Sequence, residues 1–260
     1  MLTMMGAADL RGATMGDGLL QEDVLRLLAT FEPITLAQMA DATLLDRSEL
    51  KYVMPQRLVL PVLAELGDTY RVLVVGEQPL SHYRTLYFDT EDLALYRRHH
   101  AGAPDRYKVR AREYVDSHAA FLEVKHRTGN RRTVKSRIPT DSPVTTLPAQ
   151  AADFLAEACP YPADLLAPSL WNDYTRITLV SRQRAERVTL DLDMAFASAT
   201  GQARLRGIVV AEVKFTGARH LSEFARLLRQ YHVRETGFSK FCVGVSMLYA
   251  DVKHNRFKAK

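Results

Sequence analysis

Residues 105–114, DRYKVRAREY, place Arg106, Lys108, Arg110 and Arg112 on every second position, with Tyr107, Val109 and Ala111 between them. A period of two marks a β-strand, whose successive side chains point to opposite faces. One face of this strand is cationic and the other is mostly apolar. The same alternation recurs along the chain. FLEVKHR sets Phe121, Glu123, Lys125 and Arg127 against Leu122 and Val124, and RRTVKSRI sets Arg131, Thr133, Lys135 and Arg137 against Val134 and Ile138. YTRITLVSR places Arg176 and Thr178 opposite Ile177 and Leu179. RVTLDLD places Arg187, Thr189, Asp191 and Asp193 opposite Val188, Leu190 and Leu192. IVVAEVKF places Glu212 and Lys214 opposite Val209, Val213 and Phe215, and RSELKY groups Arg47, Glu49 and Lys51.

A sheet with one face in water accounts for any single strand of this kind. It does not account for six or seven of them, because a solvated face mixes signs and this one is dominated by Lys and Arg. Between Arg106 and Arg137 there are ten Lys and Arg against three carboxylates, in a chain whose formal charge is only +5. Like charges on neighbouring strands repel, so the arrangement costs stability unless an anion offsets it. Closing the strands into a barrel gives them an inside. The expectation is an α+β fold: an antiparallel barrel with the cations lining an anion-filled tunnel and the apolar sets packed outward against flanking helices.

Strands are expected at 47–54, 69–75, 82–88, 106–115, 119–127, 131–138, 174–182, 186–193 and 207–215, with Gly129-Asn130 as a hairpin turn. Apolar residues at helical spacing mark helices in LLQEDVLRLLATF and GARHLSEFARLLRQYH, and shorter ones in ITLAQMADATLL, PQRLVLPVLAEL and PAQAADFLAEAC. With no linker between two cores, the chain divides into a partly helical N-terminal extension (1–45), a tunnel domain (46–250) and a basic tail (251–260). No apolar run approaches the ~20 residues of a membrane-spanning helix, and the N-terminus lacks a signal-peptide pattern. Cys159 and Cys242 lack metal-ligand spacing and are expected to be buried reduced thiols of a cytoplasmic protein. Carboxylates on the cationic face are either ion-pair partners or ligands for Mg²⁺ or Mn²⁺. Glu212 is the first choice for metal, Glu123 and Asp191 are weaker, and Glu49 is weaker still.

RSELKY, TLYFDTEDLALY, RYKVRAREY, FLEVKHR, TVKSRI, YTRITLVSR, RVTLDLD, VVAEVKF and FSKF occur in an order that resembles the VTC polyphosphate polymerase domain, of the triphosphate tunnel metalloenzymes. The resemblance runs from about Arg47 to Val245. It implies an eight-stranded antiparallel tunnel that binds ATP and a divalent metal and transfers the terminal phosphoryl group to a growing polyphosphate. It implies Arg110, Arg112, Arg176, Arg187 and Lys214 as the groups acting on the transferred phosphoryl. Lys51, Lys108, Lys125, Lys135, Arg137 and Lys240 join them as substrate-binding cations, with Glu212 and Glu123 as metal candidates. Arg47 stands where the hydrolase branch of the superfamily carries the first glutamate of Glu-x-Glu-x-Lys, which disfavours that branch. Lys240 is expected to follow the terminal helix and close one tunnel mouth; Tyr174 is expected to be structural.

Three rivals remain at this stage. A nucleic-acid-binding barrel would carry exposed aromatics for base stacking, and the cationic face has only Tyr114 and Phe121, so no nucleic-acid partner is expected. An inorganic triphosphatase differs only in using water as acceptor. A non-catalytic polyphosphate-binding module would work beside a separate membrane protein.

Overall fold

The computed structural model describes residues 15–41, 48–130, 132–141, 144–147, 150–218 and 222–257. In chain order its strands are β1 (Glu32–Ile34), β2 (Ser48–Pro55), β3 (Tyr70–Leu73), β4 (Leu80–Asp89), β5 (Arg106–Tyr114), β6 (Ala119–Arg127), β7 (Thr133–Thr140), β8 (Ala167–Ser181), β9 (Glu186–Ser198), β10 (Gly201–Arg204) and β11 (Ile208–Phe215). The helices are α1 (Met15–Leu28), α2 (Leu36–Asp41), α3 (Val59–Leu66), α4 (Ala94–Ala101), α5 (Gln150–Ala158), α6 (Glu223–Gln230) and α7 (Lys240–Leu248). None of them is long and apolar enough to cross a membrane.

Eight strands form one antiparallel path in the order β2-β11-β9-β8-β4-β5-β6-β7. Strand β3 pairs with β8 and carries β1 parallel to itself, while β10 folds back on β9. The path curls strongly. Lys125 on β6 feels the charges of Lys51 on β2 and Glu212 on β11, although several strands separate them along the sheet.

The α+β tunnel is as expected, but it is not a hydrogen-bonded closed barrel. Among the described residues no ladder joins β2 to β7. The outer edge of β2 is taken by the segment after α6 instead: Tyr52 bridges Glu235, and the Thr236 N–H donates to the Lys51 carbonyl at 2.9 Å.

Outward side chains build the cores. Val188, Leu190, Val209, Val213, Ile177 and Leu179 pack with α1, α3 and α6. Helix α6 is shaped for this role: the Ser222 side chain caps its N-terminus by accepting from the Ala225 N–H at 3.1 Å, and Phe224, Ala225, Leu227 and Leu228 are buried. Leu86, Val109, Ala111, Leu122 and Val124 form a second core with Leu155 of α5. Both cysteines are buried free thiols.

Several expectations needed adjustment. Strand β8 starts at Ala167 rather than 174, and β9 runs to Ser198 rather than 193. A bulge between these strands explains the second difference. Asp173 pairs with Ala195 and Thr175 with Leu192, so two β9 residues oppose Tyr174. Asp193 takes a left-handed φ of +54° there. The bulge shifts the parity of the strand, and Met194, not Asp193, continues the inward set beside Tyr83, Tyr174 and Val210. Strands β1 and β10 and helix α4 lack a clear period and were not expected.

Helix α7 was not expected: Lys240 follows α6, as expected, and opens a further, last helix. Its Gly244 is required by contact, since a Cβ would lie 2.6 Å from Leu170 and Phe196 side-chain atoms. The helix thereby docks on β8 and β9 with Phe241 5.0 Å from the Tyr87 ring.

Candidate active site

Strand register brings the predicted cations to one face of the curled sheet, with Lys135 and Arg137 exposed on its edge strand β7. Across β5 and β6, Lys108 stands opposite Lys125 and Arg110 opposite Glu123, and β7 continues these rows with Lys135 and Arg137. Across β2, β11 and β9, Lys51 opposes Glu212, which opposes Thr189, while Lys214 opposes Arg187. Arg176 on β8 opposes Asp191 on β9. Lys240 reaches the same space from the first turn of α7.

Most of these cations are held by a small set of carboxylates. Glu123 is 1% exposed. It accepts from Arg110 Nε at 2.8 Å and Nη2 at 2.7 Å through one oxygen and pairs with Lys135 through the other. Asp191, also 1% exposed, accepts a two-pronged contact from Arg176 at 2.6 and 2.8 Å and a further one from Lys240. Glu212 takes Lys214 at 2.5 Å and Lys51 at 3.0 Å, and Lys51 also binds Glu49. Arg112 is buried, touches Thr85 and lies 5.7 Å from the Tyr83 ring; Arg137 stacks 4.6 Å from Phe121.

The electrostatics follow from this layout. Burial alone would raise the Glu123 carboxyl, but Arg110, Arg112 and Lys135 pull it down to about 2. Burial is likewise overcome at Asp191 by Arg176 and Lys240, and at Glu212 by Lys214 and Lys51, so both stay below the usual carboxylate range. The lysines shift the other way. Burial, reinforced by neighbouring cations, lowers Lys125 to about 7 and Lys108 to about 8; burial lowers Lys135 to about 8 against the pull of Glu123. The tunnel holds more positive charge than its own carboxylates neutralise.

Carboxylates on β2 and β11 provide a fit for a divalent cation. Glu49 and Glu212 converge on one ammonium, that of Lys51. Hard oxygen donors of this kind, completed by phosphate oxygens and water, form the donor set that Mg²⁺ or Mn²⁺ takes. Among the described residues no three His, Cys, Asp or Glu side chains stand together, so the protein offers one or two carboxylates rather than a full cage. Both Glu123 and Glu212 have their two oxygens on cations, but the Glu123 side chain is 1% exposed and that of Glu212 18%, which makes Glu212 the more accessible donor.

Residues 46–249 match the VTC domain. This chain belongs to the VTC-domain family. No curated protein matches it in sequence. Similar solved structures include a Bacillus halodurans protein provisionally assigned as an adenylate cyclase (14% identity, 78% of this chain and 96% of that one, TM-score 0.48). A Hippeastrum protein with a dominant triphosphatase activity is 16% identical over 78% of this chain and 97% of its own, with a TM-score of 0.47. A Pyrococcus horikoshii protein is 11% identical over 77% and 99%, with a TM-score of 0.45.

The VTC-domain tunnel also contains polar groups outside its ion pairs. Tyr174 stacks on Tyr83 at 5.2 Å, and Lys240 lies 4.3 Å from its ring. Its hydroxyl is buried without a hydrogen-bond partner, as is the Thr189 hydroxyl. Ser239, the N-cap of α7, accepts from Lys108 Nζ at 2.8 Å and so ties the helix to β5. Tyr174 and Thr189 share the strand parity of Arg176 and Asp191, whereas Ser239 and Lys240 join the site only through the docking of α7, which leaves no local sequence signal. His99 on α4 lies beside the tunnel: burial, with Lys108 nearby, lowers its imidazole to about 2. Arg47 lies outside the described residues.

Proposed function

We propose that this VTC-domain protein is a polyphosphate polymerase that transfers the terminal phosphoryl group of ATP to a polyphosphate chain inside the tunnel. The observation that carries this reading is the state of the tunnel's carboxylates. Activating water calls for a general base with a pKa near the working pH. Glu123, Asp191 and Glu212 are all held below the usual carboxylate range by the cations they bind. None of these carboxylates is suited to take a proton, and the lysines lowered toward neutral pH, Lys125, Lys108 and Lys135, regain their protons when a polyanion binds. A terminal phosphate of polyphosphate is already anionic and needs no base.

The tunnel residues then supply positioning and charge. Arg110, Arg112, Arg176 and Arg187 would clamp the triphosphate with planar guanidinium groups, and Lys51, Lys125, Lys135, Arg137, Lys214 and Lys240 would add charge along it. An oxygen of the polymer's terminal phosphate attacks the γ-phosphorus, and the bond to the β,γ-bridging oxygen breaks. ADP leaves, and the polymer is one unit longer. Glu212, with Glu49, would hold Mn²⁺ or Mg²⁺, which when bound neutralises phosphate charge.

The test is purified protein with ATP and Mn²⁺, reading polymer and orthophosphate separately. Polymer with ADP is the expected result. Orthophosphate alone would replace this reading with a triphosphatase, and neither product despite tight polyphosphate binding would replace it with a scaffold role.

A further inference from the structure

The tunnel's cations fall into two groups. Arg110, Lys135, Arg176, Lys240, Lys51 and Lys214 each sit against a carboxylate. Toward the end where β5 begins and β6 ends, the counter-charges stop. Lys108 faces Lys125, which faces Lys135, across three neighbouring strands, and the next inward row sets Arg106 directly opposite Arg127. Among the described residues Arg106, Lys108, Lys125 and Arg127 have no carboxylate in ion-pair contact. The side-chain hydrogen bonds of this group are neutral ones, Lys108 to Ser239 and Arg106 Nη1 to the Ala103 carbonyl at 2.7 Å.

Directly opposed like charges destabilise a strand pair. The carboxylates nearby are already used: Asp105, next in sequence to Arg106, is turned to His126 Nε2 at 3.0 Å and to the Gly129 N–H at 3.2 Å. Arg106 and Arg127 are only half-buried, whereas Glu123 deeper along β6 is fully buried, so this row forms the rim.

We infer that Arg106 and Arg127 form an outer anion subsite at this rim, which binds phosphoryl units of a linear polyphosphate beyond those held at the tunnel centre. Inward cations recur along β5 from Arg112 to Arg106, a span of roughly 20 Å at the rise of an extended strand. A triphosphate occupies only part of such a row. The unneutralised remainder is complementary to a longer chain of the same repeating anion. This inference rests on the tunnel binding linear phosphates, as the proposed function does, but it does not depend on which reaction is catalysed there.

The experiment compares binding of long-chain polyphosphate and tripolyphosphate to the wild-type protein and to the Arg106→Gln/Arg127→Gln double variant, by calorimetry without nucleotide. The expected result is about a tenfold loss of affinity for the long chain, the scale of lost charge-assisted contacts at a half-exposed site, with tripolyphosphate affinity within about twofold of wild type. The Arg106→Lys/Arg127→Lys variant should recover most of the loss. Equal weakening toward both ligands, unchanged affinity for the long chain, or a wild-type protein that does not prefer the long chain would each overturn the inference. A protein that makes no polymer yet shows the length-selective loss would refute the polymerase reading and leave the rim subsite standing.

Discussion

Replacing Asp191 by Asn tests whether the tunnel is poised for an anion it does not itself supply. The side chain is buried and holds Arg176 through two contacts at 2.6 and 2.8 Å, with Lys240 on the same carboxylate. Asparagine keeps the shape but removes the only charge between two cations. Breaking a buried ion pair on one side costs about 3–5 kcal/mol, because the partner charge is left uncompensated. Arg176 and Lys240 retain 16% and 13% side-chain exposure, which places the expected cost at the low end. At roughly 2–4 °C per kcal/mol for a domain of this size, the melting temperature should fall by roughly 6–12 °C.

Anion binding should move the opposite way. Arg176 freed from its carboxylate can offer both N–H groups to phosphate. Contacts to charged groups are worth about 1.5–3 kcal/mol, so tripolyphosphate should bind at least about tenfold tighter. A thermal melt with and without tripolyphosphate reads both quantities at once: the variant starts lower and gains more from the ligand. A melting temperature within about 2 °C of wild type, or weaker tripolyphosphate binding, would refute the view of Asp191 as an internal counter-charge.

The other expectations concern metal, protons and the closing helix. Glu212→Gln should abolish Mn²⁺-dependent turnover while far-UV circular dichroism stays unchanged; a normal Mn²⁺ titration of activity would remove Glu212 from the metal site. Lys108 and Lys125, lowered to about 8 and about 7 by burial and neighbouring cations, are partly neutral in the free protein near pH 8. A bound polyanion restores their protons, so binding at that pH should take up protons and weaken as pH rises from roughly 7 to 9; identical heats in buffers of different ionisation enthalpy would contradict this. Gly244→Ala places a Cβ 2.6 Å from Leu170 and Phe196, and overpacking of this kind costs about 1–3 kcal/mol. The shifted helix carries Lys240, so KM for ATP should rise along with the loss in melting temperature, and a stability loss with unchanged KM would separate Lys240 from substrate.

Which side chains share a face was legible in the order of the residues alone. Alternation is a property of the extended backbone, so Arg110 and Arg112, or Glu212 and Lys214, were bound to point the same way once their segments became strands. The excess of cations over carboxylates on that face was equally visible. Among the described residues alternation failed at Asp193, where a bulge changed the parity. It could not reveal which carboxylate neutralises which cation, because Asp191 meets Lys240 and Glu212 meets Lys51 only after distant segments are brought together. Tertiary structure decided that pairing, placed the start of α7 against β5 through Ser239, and left Arg106 and Arg127 without counter-charge. The physical reason is range: a strand's period acts between adjacent residues, whereas charge pairing and helix docking depend on distances in space that the curl of the whole sheet sets.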